Sequence, residues 1–204
     1  METGASSVAA GLSHHIAERV RRLRSSQGLS LHALADRSGV SRSMISLIER
    51  GETSPTAVVL EKLAAGLGVT LPSLFDAAGG RLEEPAFSRV SRREDQPEWQ
   101  DPASGYVRRN VSPPGLPQPM QIVEVHFPAG GRVAFENAGR EIRVRQQVWV
   151  LQGVIDVTLG GDRHRLREGD CMAMDLDVPT MFHNPTRKRA RYAVVIASEP
   201  SSKR

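Results

Sequence analysis

Thirteen residues, Gly39 to Gly51, read Gly-Val-Ser-Arg-Ser-Met-Ile-Ser-Leu-Ile-Glu-Arg-Gly and carry the side chains best spaced for chemistry with a polyanion. At 100° per residue, Met44, Ile45 and Ile48 fall on one arc of a helix, while Arg42, Ser43, Ser46 and Arg50 gather on the opposite one. The first arc can be buried in a bundle. The second offers guanidinium and hydroxyl groups to phosphates and to base edges. Arg42 stands in the first turn, from which side chains reach bases, and Arg50 stands at the far end, suited to clamping a phosphate. Glu49 lies at the edge of the polar arc. A carboxylate facing phosphates would repel them, so it is assigned to an ion pair with Arg19 or Arg22 of the preceding helix.

That helix needs neighbours to hold it. Ile16, Val20 and Leu23 repeat at i, i+4, i+7 and predict an amphipathic helix from about Ser13, after a small-residue leader over 1–11 that is expected to be mobile, and Gly28 ends it. Ser30 is a good N-cap for a second helix carrying Leu34 and Ala35; Gly39 supplies the tight turn and Ser41 caps the third helix. Pro55 and Thr56 open a fourth, with Leu60, Leu63, Ala64 and Leu67 facing inward and Gly68 closing it, and 70–75 forms one last short helix. This is a helix-turn-helix layout, whose third helix suits a major groove about 12 Å wide.

Helical periodicity stops there, and 77–86 reads as a linker. Short alternating runs follow at 121–127, 147–151, 154–159, 171–174 and 192–197, punctuated by Gly and Pro, and predict an all-β sandwich or barrel. Gly160-Gly161-Asp162 marks a hairpin. The basic run at 187–191 reads as an exposed hairpin end. The fold class is therefore multidomain: an all-α helix-turn-helix bundle over 12–76 and an all-β domain over 87–198.

Bulk properties restrict the function. The 204 residues carry a net charge of +4, a mild basic surplus. The first 80 residues hold eight basic against seven acidic side chains, so contacts to a polyanion must come from placement rather than from a basic blanket. Cys171 is the single cysteine, which excludes an intrachain disulfide and a thiolate zinc cluster, and it is read as a buried small hydrophobe. A secretory run and a stretch of 18 apolar residues are both missing, so the reading is a cytoplasmic protein with no membrane partner.

From about Leu12 to Phe75 the chain resembles the XRE, or lambda-repressor-like, helix-turn-helix family. The residues that carry the resemblance are Leu29-Ser30-Leu31, Leu34-Ala35, Gly39-Val40-Ser41, Ile45 through Gly51, Pro55, Leu60, Leu63-Ala64 and Leu67-Gly68-Val69. Many members place Gln where Leu31 stands, so a polar contact is absent here and Ser30 and His32 are partial substitutes. The resemblance implies a double-stranded DNA operator as partner, contacted by Ser30, Ser41, Arg42, Ser43, Ser46 and Arg50.

The second half, about 87–197, resembles the cupin barrel. Val148 to Gly153 followed by a hairpin, Gly169-Asp170, Asp177-Val178-Pro179 and Phe182-His183-Asn184-Pro185 carry this resemblance. Metal-bearing cupins usually show a His-x-His pair, a Glu seven residues before the glycine matching Gly153, and a His after the proline matching Pro179. Here 132–145 holds no histidine, and Gln146 and Thr180 occupy the other two positions. Neutral amide and hydroxyl oxygens are poor donors to a divalent transition metal, so the expected cofactor is none, with Glu141 and His183 as the two remaining donors.

What remains is a pocket with Met172, Met174 and Met181 as lining and Arg143, Gln146, Thr180 and His183 as polar groups. Such a pocket suits a small organic effector, anionic if Arg143 faces it. An XRE head joined to a cupin implies a transcriptional regulator, a homodimer on a two-fold operator with recognition helices about 34 Å apart, its linker relaying effector binding. The competing reading is a metal-dependent cupin oxidase or epoxidase with a vestigial head.

Overall fold

The computed structural model describes residues 3–75, 89–114, 120–137 and 142–200. Helix α1 (Thr3–Ser26) runs through most of the leader that the sequence reading left mobile. Ala5, Ala9 and Ala10 are strong helix formers and carry the helical backbone toward the N-terminus. Helices α2 (Leu31–Ser38), α3 (Arg42–Glu49) and α4 (Ala57–Gly66) follow, then a 3-10 turn at Leu71–Leu74.

Ser30, Ser41 and Thr56 cap α2, α3 and α4, each side-chain oxygen accepting from the backbone N–H three residues on. Gly39 takes φ +66, the left-handed conformation that the turn between α2 and α3 demands. A cap is worth about 1 kcal/mol, and a helix of this length is unstable alone. Burying Ile45 and Ile48 contributes roughly 2 kcal/mol for each side chain, so packing is what holds α3 in place. Both isoleucines are fully buried in the bundle with Ile16, Val20, Leu34 and Leu63. Met44, placed on the apolar arc by periodicity, is 37% exposed. The contact stripe of α3 narrows to Ile45 and Ile48, and Met44 lies one residue round the helix from it.

Two antiparallel sheets make the second half. The larger has the order β1-β2-β3-β10-β5-β8, built from β1 (Glu98–Gln100), β2 (Val107–Asn110), β3 (Met120–Phe127), β10 (Ala190–Pro200), β5 (Ile142–Gln152) and β8 (Cys171–Asp175). The smaller has the order β4-β9-β6-β7, from β4 (Arg132–Phe135), β9 (Thr180–His183), β6 (Val154–Leu159) and β7 (Asp162–Arg167). In β5, Val144, Gln146, Val148 and Val150 point inward, and Arg143, Arg145, Gln147 and Trp149 point out, the period of two that a half-covered sheet requires. The hairpin at Gly160-Gly161 joins β6 to β7 as its glycines predict. Gly153 turns β5 into β6 with φ +84, and a Cβ there would come 3.3 Å from Ala190 Cα.

Strands β1, β2, β4 and β9 were not anticipated. They are three or four residues long and take their structure from the partners they pair with. Cys171, expected to be buried, is exposed. It opens an edge strand opposite Trp149, on the outward face of the larger sheet.

Helical head and β domain touch directly. A chain of aromatic contacts leaves the head at Phe75 and passes through Trp99 (5.8 Å between ring centroids), Tyr106 (5.9 Å), Phe127 (5.9 Å) and Tyr192 (6.1 Å). Tyr192 then stacks on Phe182 of the smaller sheet at 6.0 Å, and Phe182 meets Phe135. Around it, the Asp101 carboxylate accepts from the Ala57 N–H at 2.9 Å, which adds a second acceptor at the start of α4. Thr70 donates to Gln121 Oε1 at 2.9 Å and Asn110 Nδ2 to the Pro72 carbonyl at 3.3 Å. The linker read at 77–86 lies outside the described residues.

Candidate nucleic-acid interface and junction cavity

Ser30, Ser41, Arg42, Ser43 and Arg50 are exposed on the surface around α3, and Ser46 is half-buried. The Ser30 and Ser41 hydroxyls are engaged as caps, accepting from Ala33 N at 3.0 Å and Met44 N at 3.2 Å. Arg42 begins α3 and faces solvent. Arg50 ends it with its guanidinium engaged: Nε and Nη2 donate to Glu52 Oε1 and Oε2 at 2.6 and 2.9 Å, and Nη1 to Ser46 Oγ. Arg50 holds the Glu52 carboxyl below its ordinary pKa. A phosphate approaching Arg50 therefore competes with Glu52, a contact the spacing alone does not reveal.

Glu49 pairs with Arg24, and not with Arg19 or Arg22. Arg24 Nε and Nη2 donate to its two oxygens at 2.6 and 2.8 Å, and Nη1 donates to the Leu29 carbonyl at 2.7 Å. Arg24 lies in the last turn of α1, where that helix passes the end of α3. Arg19 is committed elsewhere, donating to the Ser73 carbonyl at 3.1 Å.

A cavity of about 70 Å³ opens between the head and the sheets. Glu61, Thr70, Leu71 and Pro72 form its wall on the head side; Tyr106, Arg108, Phe127 and Tyr192 form it on the larger sheet; Phe135, Asn137 and Phe182 close the remaining side. Arg108 is 7% exposed, and its Nε and Nη2 are buried with no hydrogen-bond partner. Its guanidinium carbon lies 5.8 Å from the centre of the Phe75 ring. Burial lowers the Arg108 pKa and raises those of Tyr106 and Tyr192, so both phenols stay protonated.

Of the four effector residues read from the sequence, Gln146 lines this cavity, its Nε2 lying 3.4 Å from Met174 Sδ. Thr180 is buried behind the wall, where its Oγ1 accepts from Asn137 Nδ2 at 2.9 Å. Arg143 is on the outward face, donating to Asp175 at 3.1 Å. His183 lies 3.9 Å from Asp156 on the smaller sheet, away from the cavity. Burial and the nearby Arg132 lower its pKa. Odd positions of β5 point outward, which removes Arg143 from the pocket and with it the anion contact assigned to it.

Arg108 escaped the sequence reading. Val107-Arg108-Arg109-Asn110 has no apolar alternation, and the nearest signal is Tyr106 two residues earlier, on the same face of the strand. A metal does not fit this cavity. Its walls offer one carboxylate, Glu61, with no imidazole or thiolate, and Arg108 places a fixed positive charge beside it. Glu141, the other donor considered, lies outside the described residues.

The helix-turn-helix family HTH_3 matches residues 20–74, the stretch that contains α2, α3 and α4. The structure of an HTH_3 family transcriptional regulator from Vibrio cholerae superposes with a TM-score of 0.72 at 26% identity, over 93% of this chain and 98% of that one. The chain is a transcriptional regulator with an HTH_3, XRE-type helix-turn-helix head. Two transcriptional regulators of Escherichia coli K12 are similar to this regulator across both halves. SutR is 28% identical over 176 residues, covering 85% of this chain and 89% of its own, and PuuR is 28% identical over 190 residues, covering 91% and 95%. Helices α2 and α3 both lie within the matched helix-turn-helix stretch, and no helix among the described residues is long and apolar enough to cross a membrane.

Proposed function

We propose that this regulator binds a two-fold-related DNA site as a homodimer, reads it through the first turn of α3, and adjusts its affinity when a small molecule fills the junction cavity. The single observation that carries the sensing step is the make-up of the cavity wall. Glu61, Thr70, Leu71 and Pro72 belong to the head and the rest to the cupin domain, so a bound molecule touches both. A ligand shifts an equilibrium only through contacts that differ between the two states, and one lodged between two domains has them. The chain acts by binding: oxidase or epoxidase chemistry needs donors that the cavity wall does not supply.

On α3, Arg42 and Ser43 are the base-reaching groups, Ser46 and Arg50 the phosphate-side groups, and Ser30 and Ser41 hold the two helix starts that face the duplex. The dimer forms on the outward face of the larger sheet, where Trp149, Met120 and Ile122 are exposed. Val195 and Ala197 of β10 lie between these strands, register partners of Ile122 and Met120.

The test is a nuclease footprint on the DNA upstream of the regulator's own gene, repeated with compounds that raise its melting temperature. The reading expects two protected half-sites about 34 Å apart and an affinity change of roughly 5- to 150-fold with a stabilising compound. A single unpaired half-site contradicts the dimer, and stabilising compounds that leave DNA affinity unchanged contradict the sensing step.

A further inference from the structure

Among the described residues, three arginines hold a carboxylate in the same way. Arg24 on Glu49, Arg50 on Glu52 and Arg165 on Asp156 each present Nε and Nη2, one to each carboxylate oxygen, at 2.6 to 3.1 Å. This planar edge matches a carboxylate and nothing else among the side chains as well. Arg108 carries the same edge, buried and without an acceptor, in the wall of the junction cavity.

We propose that the cavity receives a small organic monocarboxylate, whose two oxygens take the Nε and Nη2 edge of Arg108 while its apolar part lies against Phe127, Phe182 and Tyr192. The proposal rests on the reading of this cavity as the effector site and names the chemical class of the effector. A guanidinium keeps its charge even when buried, so its unmet N–H groups must find an acceptor or cost stability. Both nitrogens are out of the reach of water, so a ligand must draw the guanidinium toward the cavity to meet them. Tyr106 and Tyr192 stay protonated, which leaves their hydroxyls able to donate to the same anion. Arg108 is the one cation among the residues that line the cavity and Glu61 already shares its charge, so a phosphate or a diacid brings more negative charge than the site can meet.

Glu61 of α4 completes the account. It faces the same cavity and attracts Arg108. An incoming carboxylate competes with Glu61 for that charge, so binding is felt on the helix that carries the head. The sequence reading placed an anion-binding arginine at 143; the fold transfers that role to Arg108, on a strand that showed no such signal.

The test measures thermal unfolding of the full-length protein with butyrate, benzoate and phenylacetate, each beside its primary amide at equal concentration. At least one acid is expected to raise the midpoint by roughly 5 °C at saturating concentration, its amide to have no effect, and Arg108→Met to lose the response. Equal stabilisation by an amide, a response that survives in Arg108→Met, or failure of all three acids overturns the assignment. Should Arg108→Met not fold, Arg108→Lys keeps the charge and loses the two-pronged edge, and is expected to bind at least about tenfold more weakly; unchanged binding overturns the assignment. Operator affinity measured in parallel separates the two claims. An acid that binds through Arg108 without changing operator affinity supports the carboxylate site and contradicts the effector reading. A neutral compound that fills the cavity and shifts operator affinity does the reverse.

Discussion

Arg24 and Glu49 form a two-pronged ion pair that ties the last turn of α1 to the last residue of α3, at 2.6 Å for Nε to Oε1 and 2.8 Å for Nη2 to Oε2. The side chains are 16% and 8% exposed, so water screens the pair weakly. Removing Glu49 leaves two N–H groups of a half-buried guanidinium unmet, a loss of roughly 1–3 kcal/mol. Urea unfolding of Glu49→Ala is expected to show that loss. Its affinity for every DNA fragment should fall together, because the orientation of α3 rather than any one base contact is disturbed.

Glu52 shields Arg50. Replacing it by Gln keeps the shape and frees the guanidinium for a phosphate. Glu52→Gln is expected to tighten binding to all duplexes alike and to steepen the dependence of log K on log salt by about one unit. Fluorescence anisotropy over a salt series reads both; an unchanged slope shows that Arg50 does not meet the backbone.

Trp149 is 50% exposed on the outward face of the larger sheet, opposite Cys171. A charge there prevents a second copy from burying that face. Trp149→Glu is expected to sediment as a monomer at concentrations where the unaltered protein sediments as a dimer, with an unchanged far-ultraviolet circular dichroism spectrum. A dimer that persists places the interface elsewhere.

Asp156 is held by Arg165 and Arg163, and the hydrogen bond from Arg165 is the main reason its pKa falls to about 2 from an ordinary value of 3.8. A carboxyl depressed in the folded state contributes stability that is full above its unfolded pKa and is lost as pH falls through the folded one. The window therefore runs from about pH 4 down to pH 2, and the contribution is about 1–2 kcal/mol after allowance for the exposed arginines. Acid titration of stability is expected to lose that fall in Asp156→Asn; an unchanged acid limb refutes the assignment.

The helical head was legible because its signals are local. Caps at Ser30, Ser41 and Thr56, the turn at Gly39 and the buried arcs of Ile16, Val20, Ile45 and Ile48 all act within a few residues of themselves. Strand β5 was partly legible for the same reason, since alternation shows over its eleven residues. Partners across the fold were not. That Glu49 meets Arg24 depends on how α1 crosses α3, and that Arg108 is buried depends on its pairing with Val125 of β3. Arg143 and Cys171 were assigned to the wrong surroundings because the face of a strand follows from register, and a shift of one residue reverses it.

The central claim is that the exposed first turn of α3 meets duplex DNA, and the most direct measurement is anisotropy of a labelled upstream duplex at low ionic strength with Arg42→Glu beside the unaltered protein. The account predicts binding by the unaltered protein and a loss of at least about a hundredfold on charge reversal, since a contact is replaced by repulsion. Equal binding by both proteins, or binding by neither, contradicts it.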